Sequence, residues 1–315
     1  MKKSIFCAAV SIALITTSIS CNNSSKEGAA AYAEKSASSA SQVIEYTNLL
    51  VDMSNKSNNY TSRILGNLDI IEKGLKNPTD AFAFSGVIPP MDIPSFNPSK
   101  VTVDKPVDAL SKADQQFFKE KVAGWQATYK NVGASYKLLQ DYLIAQDFKD
   151  DKGAKGYALV DSVRNNIQSL YAQKTVLIKK VNEVADASEA VILKDSPLKD
   201  YILAMKADMK SVCEFINILE DGGNDYNKIS DKAQAAYDAM EKAQAEHAKI
   251  DKTNAAKEHN DASFDSFYTS YHDFLLNAKK IMRDAKEKGA LTDSNIESLN
   301  GNYDTLISRY NAFNR

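Results

Sequence analysis

The 315-residue sequence carries 39 basic and 41 acidic residues, a formal net charge of −2. So mild and evenly mixed a charge excludes the basic patch a nucleic-acid binder needs for phosphates, and it gives no means of electrostatic membrane docking. With 43% apolar residues there is ample material for a core, and the small complement of 12 Gly and 7 Pro suits helices more than sheets.

In chain order, the first element is an export signal over residues 1–20. Lys2 and Lys3 give the positive end, an uncharged apolar run extends from Ile5 to Ile15, and Thr16 to Ser20 form a small, polar approach to Cys21. The run is shorter than the ~20 apolar residues of a membrane-spanning helix. Ser18-Ile19-Ser20-Cys21 resembles the lipobox of bacterial lipoproteins, with Ser18 where that pattern carries Leu. The resemblance implies cleavage before Cys21, a diacylglycerol thioether on its sulfur and acylation of the new amino group. Such acyl chains anchor a protein firmly, at ~0.8 kcal/mol per buried methylene. The membrane is then a partner through the Cys21 lipid alone. Asn22, instead of the Asp that retains enterobacterial lipoproteins in the inner membrane, favours the outer membrane. Processing also leaves Cys213 as the only cysteine of the body, so core packing and not disulfides must stabilise it.

Residues 21–42 read as lipid anchor and Ala/Ser-rich tether, passing into helix, and residues 43–315 as one helical bundle domain. Helical apolar spacing predicts helices over about 30–76, 108–147, 154–194, 197–220, 227–257, 259–288 and 294–313. The seam of the second is Phe118, Val122, Trp125, Tyr129, Val132, Tyr136, Leu139 and Leu143. In the third, Lys174 interrupts a seam that runs from Val163 to Val191. Six of the seven prolines fall within residues 78–107, which must be an extended connection. Val87, Ile88 and Phe96 suggest that it packs along the helices. Ser196-Pro197 marks a helix start, Gly289 after Lys286 and Lys288 a helix end, and Ser294 with Glu297 a capping box. The fold class is all-α, an elongated bundle of about seven helices with coiled-coil-like seams and one long Pro-rich connection.

At the junction of the second and third helices the chain reads Tyr136 to Leu139, Asp141-Tyr142, then Asp147-Phe148-Lys149-Asp150-Asp151-Lys152-Gly153-Ala154-Lys155-Gly156. A helix ending in such a Tyr- and Asp-rich bend and restarting with an Ala-Lys-Gly step resembles the YiiG-like family of uncharacterised bacterial lipoproteins. The resemblance implies an all-helical envelope lipoprotein and brings no activity with it.

The sequence offers little chemistry. His247, His259 and His272 have no Glu or His at zinc-binding helical spacing, and no Glu-x-x-His pair of a di-iron bundle exists. His247 shares an apolar stripe with Met240, Ala243 and Ile250 and reads as a half-buried packing residue; Cys213, beside Val212, Phe215 and Ile216, reads as a buried, inert thiol. Asp147, Asp150 and Asp151 fail the EF-hand ladder and read as solvated turn carboxylates. The expectation is therefore no catalytic, metal or cofactor site and no enzyme, but a lipid-anchored interaction or structural module with a possible protein partner in the envelope. The alternative is a binding protein for a small ligand or ion in an inter-helix cleft; an unrecognised hydrolase ranks last.

Overall fold

The computed structural model describes residues 27–80, 82–90, 101–222 and 225–314, with side chains from residue 37 onward except that of Asp293. The signal, Cys21 and Phe96 lie outside the described residues. The regular structure described is entirely helical, so the fold is all-α. The helices are α1 (Glu27–Lys76), α2 (Lys112–Ala145), α3 (Phe148–Asp151), α4 (Ala154–Ile192), α5 (Lys199–Gly222), α6 (Ser230–His247), α7 (Thr253–Lys257), α8 (Asp261–Lys288) and α9 (Asp293–Phe313).

Where the sequence reading treats residues 43–315 as one bundle, the chain divides into two compact units, Lys35–Ser188 and Glu189–Arg315. The core of the first joins Leu68 and Ile71 of α1, Val132, Tyr136 and Leu139 of α2, and Val163 and Ile167 of α4. The core of the second joins Met209 and Phe215 of α5, Met240 of α6, Phe267 and Phe274 of α8, and Leu306 and Phe313 of α9. Phe264 there packs its ring 4.7 Å from Tyr268 and edge-on at 5.2 Å to Tyr201. Such aromatic pairs add ~0.5–1.5 kcal/mol each beyond burial.

The predicted seams of α8 and α9 are buried at every position named by the 3–4 spacing, from Phe264 to Ile281 and from Leu299 to Phe313. Three details differ. The helix expected over 227–257 breaks after His247 and restarts at Thr253, where the Asp251 carboxylate accepts from Thr253 N at 3.1 Å and from its hydroxyl at 2.8 Å, a local turn that competes with continuous helix. The capping box of α9 stands two residues earlier than expected: Thr292 Oγ1 accepts from Asn295 N, and Asn295 Oδ1 accepts from Thr292 N. Val191 is exposed, and Leu193, just past the end of α4, takes the buried place instead.

Lys174 does sit in the buried seam of α4, only 6% exposed, donating to Asn58 Oδ1 at 3.0 Å. Burial holds its ammonium down, to about 8. The folded state therefore disfavours the charged form that the unfolded chain keeps up to pH ~10.4. That penalty is full below pH 8 and is relieved as the pH rises from 8 towards 10.4. Lys174→Met keeps the length of the side chain, so it is expected to stabilise the protein by about 1–2 kcal/mol at pH 7. Urea titrations at pH 7 and pH 10 check this; an equal gain at both would exclude the buried charge as its source.

Candidate functional site

The Tyr- and Asp-rich bend singled out in the sequence builds the most elaborate corner of the Lys35–Ser188 unit. α2 stops because Gln146 turns left-handed (φ 59°) and the following amide, Asp147 N, reaches back to Tyr142 O at 3.2 Å. After the single turn of α3, Lys152 (φ 54°) and Gly153 (φ 83°) are left-handed in succession. The Asp151 carboxylate then closes the corner. Its Oδ1 accepts from Tyr142 Oη at 2.7 Å and from Gly153 N at 2.8 Å, and its Oδ2 accepts from Lys155 N at 3.1 Å. The Tyr142 hydrogen bond, with help from the two amides, holds this carboxyl below its usual range, and burial together with Asp151 pushes the phenol up to about 12. Asp151 is thus the cap of α4. Asp147 and Asp150 take no part in this carboxylate's bonds, and no group of three or more His, Cys, Asp or Glu able to hold a metal occurs among the described residues.

The connection after α1 folds back over this corner. Buried Asn67 fixes it, donating to Ile88 O at 2.7 Å and to Tyr136 Oη at 2.7 Å while accepting from Ile88 N at 3.1 Å. Val87 packs on the core as the sequence suggested, but Ile88 is 56% exposed; the inward ring is Phe84, 5.0 Å from Phe148. Phe84 can approach only because residue 74 is glycine, where a Cβ would stand 2.5 Å from the ring.

Between the connection and the end of α2 lies an open hollow of ≈ 870 Å³. Phe84, Val87, Leu143 and Phe148 form its floor, Pro78, Pro89 and Ile144 its apolar sides, and Gln140, Gln146, Lys149, Lys152, Thr79 and Asp80 the polar part of its lining. Ile144, 79% exposed, stands at this hollow, and Phe82, 77% exposed, belongs to the same connection. Among the described residues, two of the three non-glycine residues with positive φ, Gln146 and Lys152, line the hollow. Each left-handed residue with a Cβ costs about 1 kcal/mol relative to glycine.

In the Glu189–Arg315 unit, His247 is half-buried as expected, but it is not only a packing residue. Its Nδ1 lies 3.0 and 2.9 Å from the two oxygens of Asp208, which is 1% exposed and also accepts from Tyr268 Oη at 2.9 Å. Burial pushes the Asp208 carboxyl up, while the His247 and Tyr268 hydrogen bonds oppose the shift. His259 occupies the left-handed position after α7 (φ 59°), and His272 is exposed on α8. Cys213 is only partly buried, packed against the core with Asn217 Nδ2 3.8 Å from its sulfur. Most described tyrosines are core residues, and the hollow is lined by Phe, Leu, Ile, Val and Pro and not by tyrosine. Nothing in the periodicity singled out the hollow; the runs of helix-breaking residues at its edges were the only signal.

No family model matches the chain, and no curated protein matches it. Solved structures do share its fold. An alpha helical protein from Bacteroides fragilis NCTC 9343 superposes with a TM-score of 0.59 at 18% identity, over 87% of this chain and 98% of that one. An uncharacterized DUF3829-like protein from Bacteroides thetaiotaomicron VPI-5482 does so with a TM-score of 0.53 at 19% identity, over 87% and 99%. At these identities the likeness shows the fold alone: an all-helical domain of a kind found in uncharacterised Bacteroides proteins.

Proposed function

We propose that the protein is a lipid-anchored, non-enzymatic binding module of the cell envelope, tethered through Cys21 and engaging another molecule at the hollow of its Lys35–Ser188 unit. The observation that carries the binding role is the hollow itself, an open apolar concavity of the size that small-molecule sites have, ~300–1,000 Å³. The tether reading is supported by the order of Lys2 and Lys3, the apolar run from Ile5 to Ile15 and Cys21, and by the resemblance of the stretch from Asp147 to Gly156 to YiiG-like lipoproteins. No helix among the described residues is long and apolar enough to cross a membrane, so on this reading the lipid is the means of attachment. The non-enzymatic reading is supported by the groups that line the hollow among the described residues, which are alkyl, aromatic, amide, hydroxyl and ammonium groups and the carboxylate of Asp80.

Two measurements in cells test the two halves. Growth with an alkyne-bearing palmitate analogue is expected to label the protein and send it into the detergent phase, and Cys21→Ser to abolish both. Persistence of label and partitioning in Cys21→Ser would remove the anchor. A photocrosslinking residue at position 144 is expected to capture a molecule that the same residue at exposed Leu276 does not; equal capture at both positions would remove the hollow as the binding place.

A further inference from the structure

We infer that the hollow takes the alkyl chain of a monomeric, single-chain anionic amphiphile whose carboxylate head lies between Lys149 and Lys152. The inference rests on the binding-module reading and names the ligand class for the same site. Three observations converge on it.

The floor, made by Phe84, Leu143 and Phe148, offers only alkyl and aromatic carbon, so it is matched by a chain and not by a polar metabolite. A concavity of ≈ 870 Å³ also lies in the range of small-molecule sites, ~300–1,000 Å³. The charges form the second observation. Among the described residues two ammonium groups stand in the lining against one carboxylate, Asp80, and its Oδ1 already accepts from Phe82 N at 2.9 Å. Among the described residues neither Lys149 nor Lys152 forms an ion pair with a carboxylate; Lys149 donates to Gln146 Oε1. An anion entering the apolar mouth would gain charge-assisted hydrogen bonds there.

The third observation is the backbone. Gln146 and Lys152 hold the left-handed conformation in which glycine is easiest, and yet each carries a side chain that lines the hollow, one an amide and one an ammonium. Residues kept in a strained conformation at a concave site point to a role for the side chain that the fold itself does not require. Both are donors to a carboxylate.

The experiment uses the full chain carrying Cys21→Ser, with 11-(dansylamino)undecanoate as fluorescent probe and its alcohol counterpart as the uncharged control. The carboxylate is expected to bind saturably, about tenfold more tightly than the alcohol. Ile144→Asp and the Lys149→Glu, Lys152→Glu double variant are each expected to weaken it tenfold or more, and Leu276→Asp to leave it unchanged. Lys152→Gly is expected to raise Tm by roughly 2 °C while weakening the probe, since relief of a left-handed side chain stabilises a chain of this size by that much. Equal binding of alcohol and carboxylate, or binding indifferent to Ile144→Asp, overturns the ligand class. A Lys152→Gly variant that binds as well as the parent overturns the role of the strained side chain. Should the probe fail while the crosslinker at position 144 still captures its molecule, the amphiphile is wrong and the binding module stands; failure of both sinks the module as well.

Discussion

His247→Ala is expected to destabilise the protein by about 3 kcal/mol at pH 7, and by clearly less at pH 4. The loss comes from Asp208, not from the imidazole. Asp208 lies at 1% exposure with two hydrogen-bond donors, His247 and Tyr268. Its carboxyl already sits above its ordinary range because burial outweighs those two hydrogen bonds. A carboxyl raised in the folded state contributes most at acid pH, below its unfolded value of ~3.9, and that contribution declines as the pH rises through the folded value. Removing His247 takes away the first of the two opposing bonds, so the folded value climbs further and the decline extends to higher pH. The gap between parent and variant must therefore widen from pH 4 to pH 7. Asp208→Asn added to His247→Ala removes the buried charge and is expected to recover at least half of the loss. Urea midpoints at the two pH values read all three proteins. A double variant as unstable as His247→Ala alone would assign the loss to packing instead.

This pair shows where sequence reading stops. The apolar spacing placed His247 on a buried stripe of α6, and that is where it lies, but its partner is 39 positions away on another helix and no local period connects them. The same holds for Lys174 and Asn58, 116 positions apart: the interruption of the seam was legible, the side chain that receives the ammonium was not. By contrast the seams of α8 and α9 were legible residue by residue, because a helix repeats its face every 3–4 positions and burial follows that face alone. Breaks were harder than seams. Gly289 announced the end of α8 through its left-handed preference, whereas the turn between α6 and α7 is closed by an Asp251 side-chain bond that its neighbours do not advertise. The hollow was hidden for a related reason. The prolines showed that residues 78–107 leave the helix, but that Phe84 turns inward and Ile88 outward depends on Asn67, in α1, gripping the Ile88 backbone. The corner from Tyr142 to Gly156 is visible in the sequence as an unusual string of residues, and the Asp151 hydrogen bonds to Tyr142, Gly153 and Lys155 are its physical reason.

That geometry gives one substitution opposite signs at two helical glycines. In an open helix interior, Gly→Ala stabilises by ~0.8–1.0 kcal/mol through propensity alone. Apart from the neighbouring backbone of α1 itself, Gly66 has no atom within 4 Å of where a Cβ would stand, so Gly66→Ala is expected to gain about that much. Gly156 of α4 is different. A Cβ there would lie 2.7 Å from Tyr142 Cε1 and 2.9 Å from Leu75 Cδ1. The leucine tip could give way, but the tyrosine ring is buried and its hydroxyl is held by Asp151, which also caps α4. Moving the ring breaks the cap, and keeping it forces overlap, a choice that costs ~1–3 kcal/mol in packed cores. Gly156→Ala is therefore expected to lose about 2 kcal/mol net, and Gly156→Val more, since its branches point into the same ring. Adding Tyr142→Leu, which withdraws the ring edge, should restore part of the loss to Gly156→Ala although it is harmful by itself. Thermal midpoints of the four variants decide the matter: if Gly156→Ala and Gly66→Ala shift in the same direction, the corner does not hold Tyr142 against α4, and the wall that α2 lends to the hollow has some other support.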